Sequence, residues 1–132
     1  MDNLLINVEH THTKQLLSEA QQHLVKAFTP LLSFESKGRH KWIGTKTDLL
    51  EMAHLAYVSD TVRDEQGRHA TFRWIASRIC NNLRIKTPRN PNAFVSKAMQ
   101  RKNTKQAPLL ERYCHLLYNK GINEPLTTWM TV

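Results

Sequence analysis

Ten basic side chains fall between Gln66 and Gln106: Arg68, Arg73, Arg78, Arg84, Lys86, Arg89, Lys97, Arg101, Lys102 and Lys105. From Gly67 to Leu110 there is no Asp or Glu among them. The formal net charge of +8 comes entirely from this middle third, because the flanking segments balance or carry a slight acidic excess. A concentrated field of one sign works against a compact state by self-repulsion, and an anionic partner relieves it. For a basic stretch of this length the first such partner is nucleic acid.

Other chemistry is poorly provided for. Catalysis needs a nucleophile beside a base, or two carboxylates in one cleft. His54, His69 and His115 are scattered, and the basic region offers no acid to pair with them. Cys114 and His115 are adjacent, but neighbours on a helix point in different directions. No enzyme is expected. His10 and His12 lack a third ligand, so no metal site is expected, and no cofactor. The two cysteines, Cys80 and Cys114, sit in helical patterns, and Cys80 belongs to an apolar face. Two cysteines are too few for a disulfide framework, which places the chain in a reducing, cytoplasmic setting as a buried-thiol protein. No run of about 18 apolar residues exists to span a membrane. Met1-Asp2-Asn3 has no basic region ahead of Leu4-Leu5-Ile6, so no secretory signal is expected.

The elements that would position the basic residues are mostly helices. Four glycines in 132 residues and few alternating segments favour helix over sheet. The first helix is predicted from a cap at Thr13 to Phe28, with Leu16, Leu17, Ala20, Leu24, Ala27 and Phe28 in one stripe; Leu4–Val8 is either a short strand or a helical lead-in. Residues 40–44 form the best short strand, with Trp42 and Ile43 on opposite faces. Thr45 or Thr47 caps a helix to Val58, and Asp48 in its first turn suits the helix dipole. A strand of two or three residues at 61–62 and a turn at 64–67 follow. The clearest helix, 71–84, is capped by Thr71; Phe72, Ile75, Ala76, Ile79, Cys80 and Leu83 recur at helical spacing, leaving Arg73, Ser77, Asn81 and Arg84 on the other side. Pro88 and Pro91 stiffen the link to a helix over 91–102, whose inner face is Phe94, Val95, Ala98 and Met99. A fifth helix starts at Leu109 and stops at Lys120-Gly121. The tail 126–132 either adds an edge strand or packs Trp129 on the core. The expected fold is mainly α, a helix-turn-helix domain with a minimal β component. It divides into an N-terminal helical segment, 1–38, and a DNA-binding domain, 39–132, packed as one globular unit.

In a helix-turn-helix pair the second helix enters the major groove. The helix 91–102 would take that place, with Ser96, Lys97, Gln100 and Arg101 as base-reading candidates. Arg73, Arg78, Arg84, Lys86, Arg89, Lys102, Asn103, Thr104 and Lys105 are candidates for phosphate contact, which positions a protein without reading sequence. Double-stranded DNA is the expected partner. Such proteins commonly bind as symmetric pairs, so a homodimer is a candidate state. Two alternatives compete: an RNA-binding module, which would stack bases on Trp42, Trp74 or Trp129, and a protein-interaction adaptor, which would show an exposed apolar patch.

From Trp42 onward the chain resembles the C-terminal domain of the RteC family, regulators carried by Bacteroides conjugative transposons. The matching motifs are Trp42-Ile-Gly-Thr-Lys-Thr-Asp-Leu-Leu-Glu51, then Ile75-Ala76-Ser77, then Phe94, and then Arg101-Lys102-Asn103-Thr104-Lys105 ahead of a leucine-bearing helix. The resemblance implies a winged-helix-like DNA-binding domain in the transcriptional control of element transfer. Family members carry a substantial region before this domain, whereas about 40 residues precede it here, so an upstream sensing or dimerising domain is expected to be either absent or cut away. The sequence also shows no clear hairpin wing after the 91–102 helix.

Overall fold

The computed structural model describes the backbone of residues 3–100 and 109–132 and the side chains of 14–97 and 109–132. The chain is mainly helical. Helix α1 spans Asn3–Phe28, α2 Lys46–Val58, α3 Phe72–Asn82, α4 Pro91–Gln100 and α5 Leu109–Cys114. Strand β1 is Lys41–Trp42 and β2 is Met130–Thr131; they pair antiparallel, with Lys41 opposite Thr131 and Trp42 opposite Met130. Helix α1 begins well before the expected cap at Thr13, and Leu4–Val8 is helix, not strand. The reason is cooperative: no Gly or Pro interrupts residues 3–28, and each residue added to a formed helix gains a hydrogen bond at little cost. The chain then passes through a 3-10 turn, Thr29–Leu32, which takes Pro30 at its start, where the missing N–H has no partner to lose.

The two predicted caps form as expected. Thr45 Oγ1 accepts from the Asp48 amide at 3.1 Å, and Thr71 Oγ1 accepts from the Trp74 amide at 3.0 Å. The 61–62 region forms no named strand. It belongs to a miniature hairpin in which the Ala70 amide donates to the Val62 carbonyl, Arg63 bridges to His69, and Gly67 turns at φ +78°. Helix α5 runs on as a π-helical turn, His115–Asn119, and stops where Gly121 adopts φ +67° and the Ile122 amide reaches the Leu116 carbonyl.

Helix α2 is the centre of the packing. It lies against α1, α3, α4 and α5. Leu49, Leu50, Met52, Ala53 and Ala56 are fully buried along it, and they meet Ile75, Ala76, Ile79 and Cys80 of α3 and Val95 of α4. The whole predicted apolar face of α3 is inside. Ala20, Leu24 and Phe28 of α1 join the same cluster as Leu126 near the other end of the chain, so residues before and after position 38 share one core. Among the described residues no helix is long and apolar enough to cross a membrane.

A column of rings closes one side of this core. Trp42 and Trp129 stack with centroids 6.2 Å apart, and Trp129 stacks on Tyr113 at 6.5 Å. The Tyr113 hydroxyl lies 2.7 Å from His23 Nδ1 of α1. Both expected roles of the tail therefore occur: β2 pairs with β1, and Trp129 packs inward. Trp42 is buried while its neighbour Ile43 is 60% exposed, as alternation along a strand requires. Gly44 leaves space for the stack, since a Cβ there would sit 2.8 Å from Trp129 Cδ1.

Among the described residues two polar side chains are buried, and both are hydrogen-bonded. Asn82 donates to the carbonyls of Leu31 and Ser33, pinning the segment after α1 to the end of α3. Asp48 is 4% exposed and receives both terminal nitrogens of Arg112 at 2.8 and 3.0 Å. Removing one member of a buried pair leaves the other uncompensated. Arg112→Ala is expected to lower stability by roughly 3 kcal/mol, read from the urea midpoint. Alkaline pH is expected to destabilise the fold as well. Burial pushes the Cys80 thiol up to about 11, opposed in part by a hydrogen bond from Thr87 and the charge of Lys46, and burial likewise raises the Tyr113 phenol. Each favours its neutral form in the folded state. For Cys80 that stabilisation is complete below the ordinary thiol value of 9.0 and is lost as pH rises toward 11. Urea unfolding across this window should show a falling midpoint, and Cys80→Ala should flatten the fall.

Candidate nucleic-acid interface

The chemistry of the basic region is set by how α3 ends. Leu83 closes the helix, and Arg84 follows at φ +61°. The Ile85 amide returns to the Cys80 carbonyl at 2.8 Å and the Arg84 amide to the Asn81 carbonyl at 3.3 Å. This pair of bonds is a Schellman motif, in which the left-handed position is usually glycine. An arginine there bears a steric cost of about 1–2 kcal/mol.

The reversal sends the link back along α3. Ile85 is held at Cys80, the Thr87 hydroxyl bonds the Cys80 thiol, and Arg73 in the first turn of α3 donates to the Arg89 carbonyl at 3.3 Å. Helix α4 therefore starts beside the beginning of α3, and the connection is an extended return, not the three- or four-residue turn of the simplest helix-turn-helix. In this extended segment the side chains alternate. Ile85 and Thr87 face the protein, while Arg84 and Lys86 are exposed, as is Arg89 beyond Pro88. The predicted phosphate-contact residues Arg84, Lys86 and Arg89 are thus displayed along one continuous ridge, and Arg73 is tied to its far end.

Helix α4 shows Ser96 and Lys97 to solvent, with Val95 buried. The Lys97 ammonium lies 5.8 Å from the centre of the Phe94 ring. Asn92, one turn before Ser96, is also exposed; it was not among the expected base readers, although its i, i+4 relation to Ser96 was visible in the sequence. Gln100 is the last described position of α4, and its side chain lies outside the described residues, as do Arg101, Lys102, Asn103, Thr104 and Lys105.

Among the described basic residues of this stretch, two are paired with acids. Arg78 pairs with Glu65 from the hairpin, and its guanidinium carbon lies 4.9 Å from the centre of the Trp74 ring. Arg68 lies 3.6 Å from the Asp64 carboxylate. The absence of acids between Gly67 and Leu110 is a property of the linear chain: in space Asp64 and Glu65 reach into that region. The cationic surface is carried by Arg73, Arg84, Lys86, Arg89 and Lys97 among the described residues.

Comparison with protein-family models, with curated proteins and with solved structures gives no match to this chain.

The left-handed arginine gives a clean test of local strain. Arg84→Gly is expected to raise stability by up to about 1 kcal/mol, because glycine adopts this conformation without the Cβ clash. Arg84→Ala keeps the clash and should leave stability unchanged or slightly lower. Equal midpoints for the two variants in urea would show that the position carries no strain.

Proposed function

We propose that this chain is a DNA-binding transcriptional regulator that acts in the cytoplasm on double-stranded DNA. The RteC-like motifs suggest genes of a mobile element as its targets. The observation that carries the proposal is the ridge Arg84–Lys86–Arg89, an extended segment whose cations all face out while its uncharged residues face in. A polyanion with regularly spaced charges suits such a ridge. In this reading α2, α3 and α4 make the three-helix core of a helix-turn-helix protein of winged-helix-like type. The hairpin 62–70 lies before α3, whereas a wing in the usual order would follow α4. Ser96 and Lys97, with Gln100 and Arg101 beyond them, contact base edges, while the ridge and Arg73 hold phosphates together with Lys102, Asn103, Thr104 and Lys105. A homodimer on a symmetric site fits the usual practice of such proteins. The burial of Trp42, and the stacking of Trp129 between Trp42 and Tyr113, occupy two of the three tryptophans that an RNA module would use for bases.

Binding to random-sequence duplex across a salt series tests the proposal. The expected slope of log affinity against log salt is about −4 or steeper, reflecting several released counterions. Lack of binding at about 50 mM salt would sink the DNA assignment. Arg84→Gly should weaken binding to all sequences alike and make the slope shallower by about one. Lys97→Ala should reduce discrimination between sequences.

A further inference from the structure

Helix α3 presents a second surface that the expected division of labour treats as scaffold. Arg73, Ser77 and Asn81 recur at every fourth residue along its solvent side. Arg84 lies just past the end of this stripe, at the left-handed turn that closes the helix. Arg73, Asn81 and Arg84 are exposed and Ser77 is half-buried. The side chains of Ser77 and Asn81 are uncharged hydrogen-bonding groups that take no partner among the described residues. The neighbouring position Asn82 is different, being buried with its amide nitrogen donating to two carbonyls. From Arg73 to Asn81 the helix rises about 12 Å. The major groove of B-DNA is about 12 Å wide.

We infer that the outer face of α3 lies in the major groove, with Arg73 and Arg84 on the phosphates of its two walls and Ser77 and Asn81 on base edges between them. This rests on the DNA-binding function proposed above and adds a base-reading surface to it. The chemistry of each position suits its place. Asparagine offers a donor and an acceptor that match N6 and N7 of adenine, and serine is compatible with several edges. Arginine at each end holds phosphate without reading sequence. The strained backbone of Arg84 has a purpose on this account: the long side chain is retained at the end of the stripe where glycine would be the easier residue. The extended return then continues the wall contact through Lys86.

The full chain is tested against a pool of duplexes with a randomised core, from which the preferred sites are selected and sequenced. Asn81→Ala and Ser77→Ala are surface changes to the best helix former, so loss of fold does not confound them. Each is expected to flatten the preference at its own base position, Asn81→Ala by roughly tenfold or more, while affinity for random duplex changes by less than about twofold. Arg73→Ala should lower affinity for all sequences. If the selected profile is unchanged in Asn81→Ala and Ser77→Ala while Ser96→Ala or Lys97→Ala flattens it, the α3 face is not a reader and DNA binding itself stands. If the unaltered chain binds no duplex at low salt, both the assignment of α3 and the function on which it rests are wrong.

Discussion

The Asp48–Arg112 ion pair is the contact on which the arrangement of the helices depends. It joins the first turn of α2 to α5 across a sequence separation of 64 residues. A carboxylate in the first turn of a helix has two favourable partners, the amide groups exposed there and any cation brought from outside. Asp48 uses its amide to close the Thr45 cap and its side chain to capture Arg112. Since α2 also supports α1, α3 and α4, fixing its N-terminal end against α5 orients the surface that α3 and α4 present. Hydrophobic burial accounts for most of the driving force of the fold, but it is not directional. The bidentate geometry of guanidinium and carboxylate supplies the direction.

The parts of this molecule that were legible from sequence are those governed by near neighbours. Thr45 and Thr71 act as caps because a hydroxyl and an amide three residues apart meet whatever the rest of the chain does. The apolar stripe of α3 is buried to the last residue for the same reason. Helix α1 was harder, since the stretch around His10–His12 has mixed character and only the cooperativity of a long helix carries it through. Contacts between distant segments left almost no trace. Arg112 lies outside the basic stretch, and nothing near it points to Asp48. Glu65 appears in the sequence as the end of an acidic turn, and only the folded hairpin brings it to Arg78.

The candidate interface was legible as charge but not as shape. The sequence marks Arg84, Lys86 and Arg89 as basic, and two prolines mark the link as stiff. Neither fact reveals that the link reverses at once and runs back along α3. The usual sign of such a reversal is glycine, and here the left-handed residue is arginine. A reader looking for glycine would extend α3 into the link and miss the ridge. Local preference and tertiary arrangement disagree at this residue. Such conflicts are expected where function constrains sequence more strongly than stability does.

The ring column has a bearing on how the protein comes into being. Trp42 is made 87 residues before Trp129, and the pairing of β1 with β2 joins the same two regions. At ribosomal rates of about 5–20 residues per second, Trp42 waits for several seconds before its stacking partner leaves the ribosome. The Asp48 carboxylate waits for Arg112 in the same interval, and so does the His23 ring for Tyr113. Through that time the residues of α1, α2 and α3 that share a core with Tyr113 and Leu126 lack those partners. The segment 109–132, which supplies Leu109, Tyr113, Leu126 and Trp129 to the core, is therefore the latch that completes it.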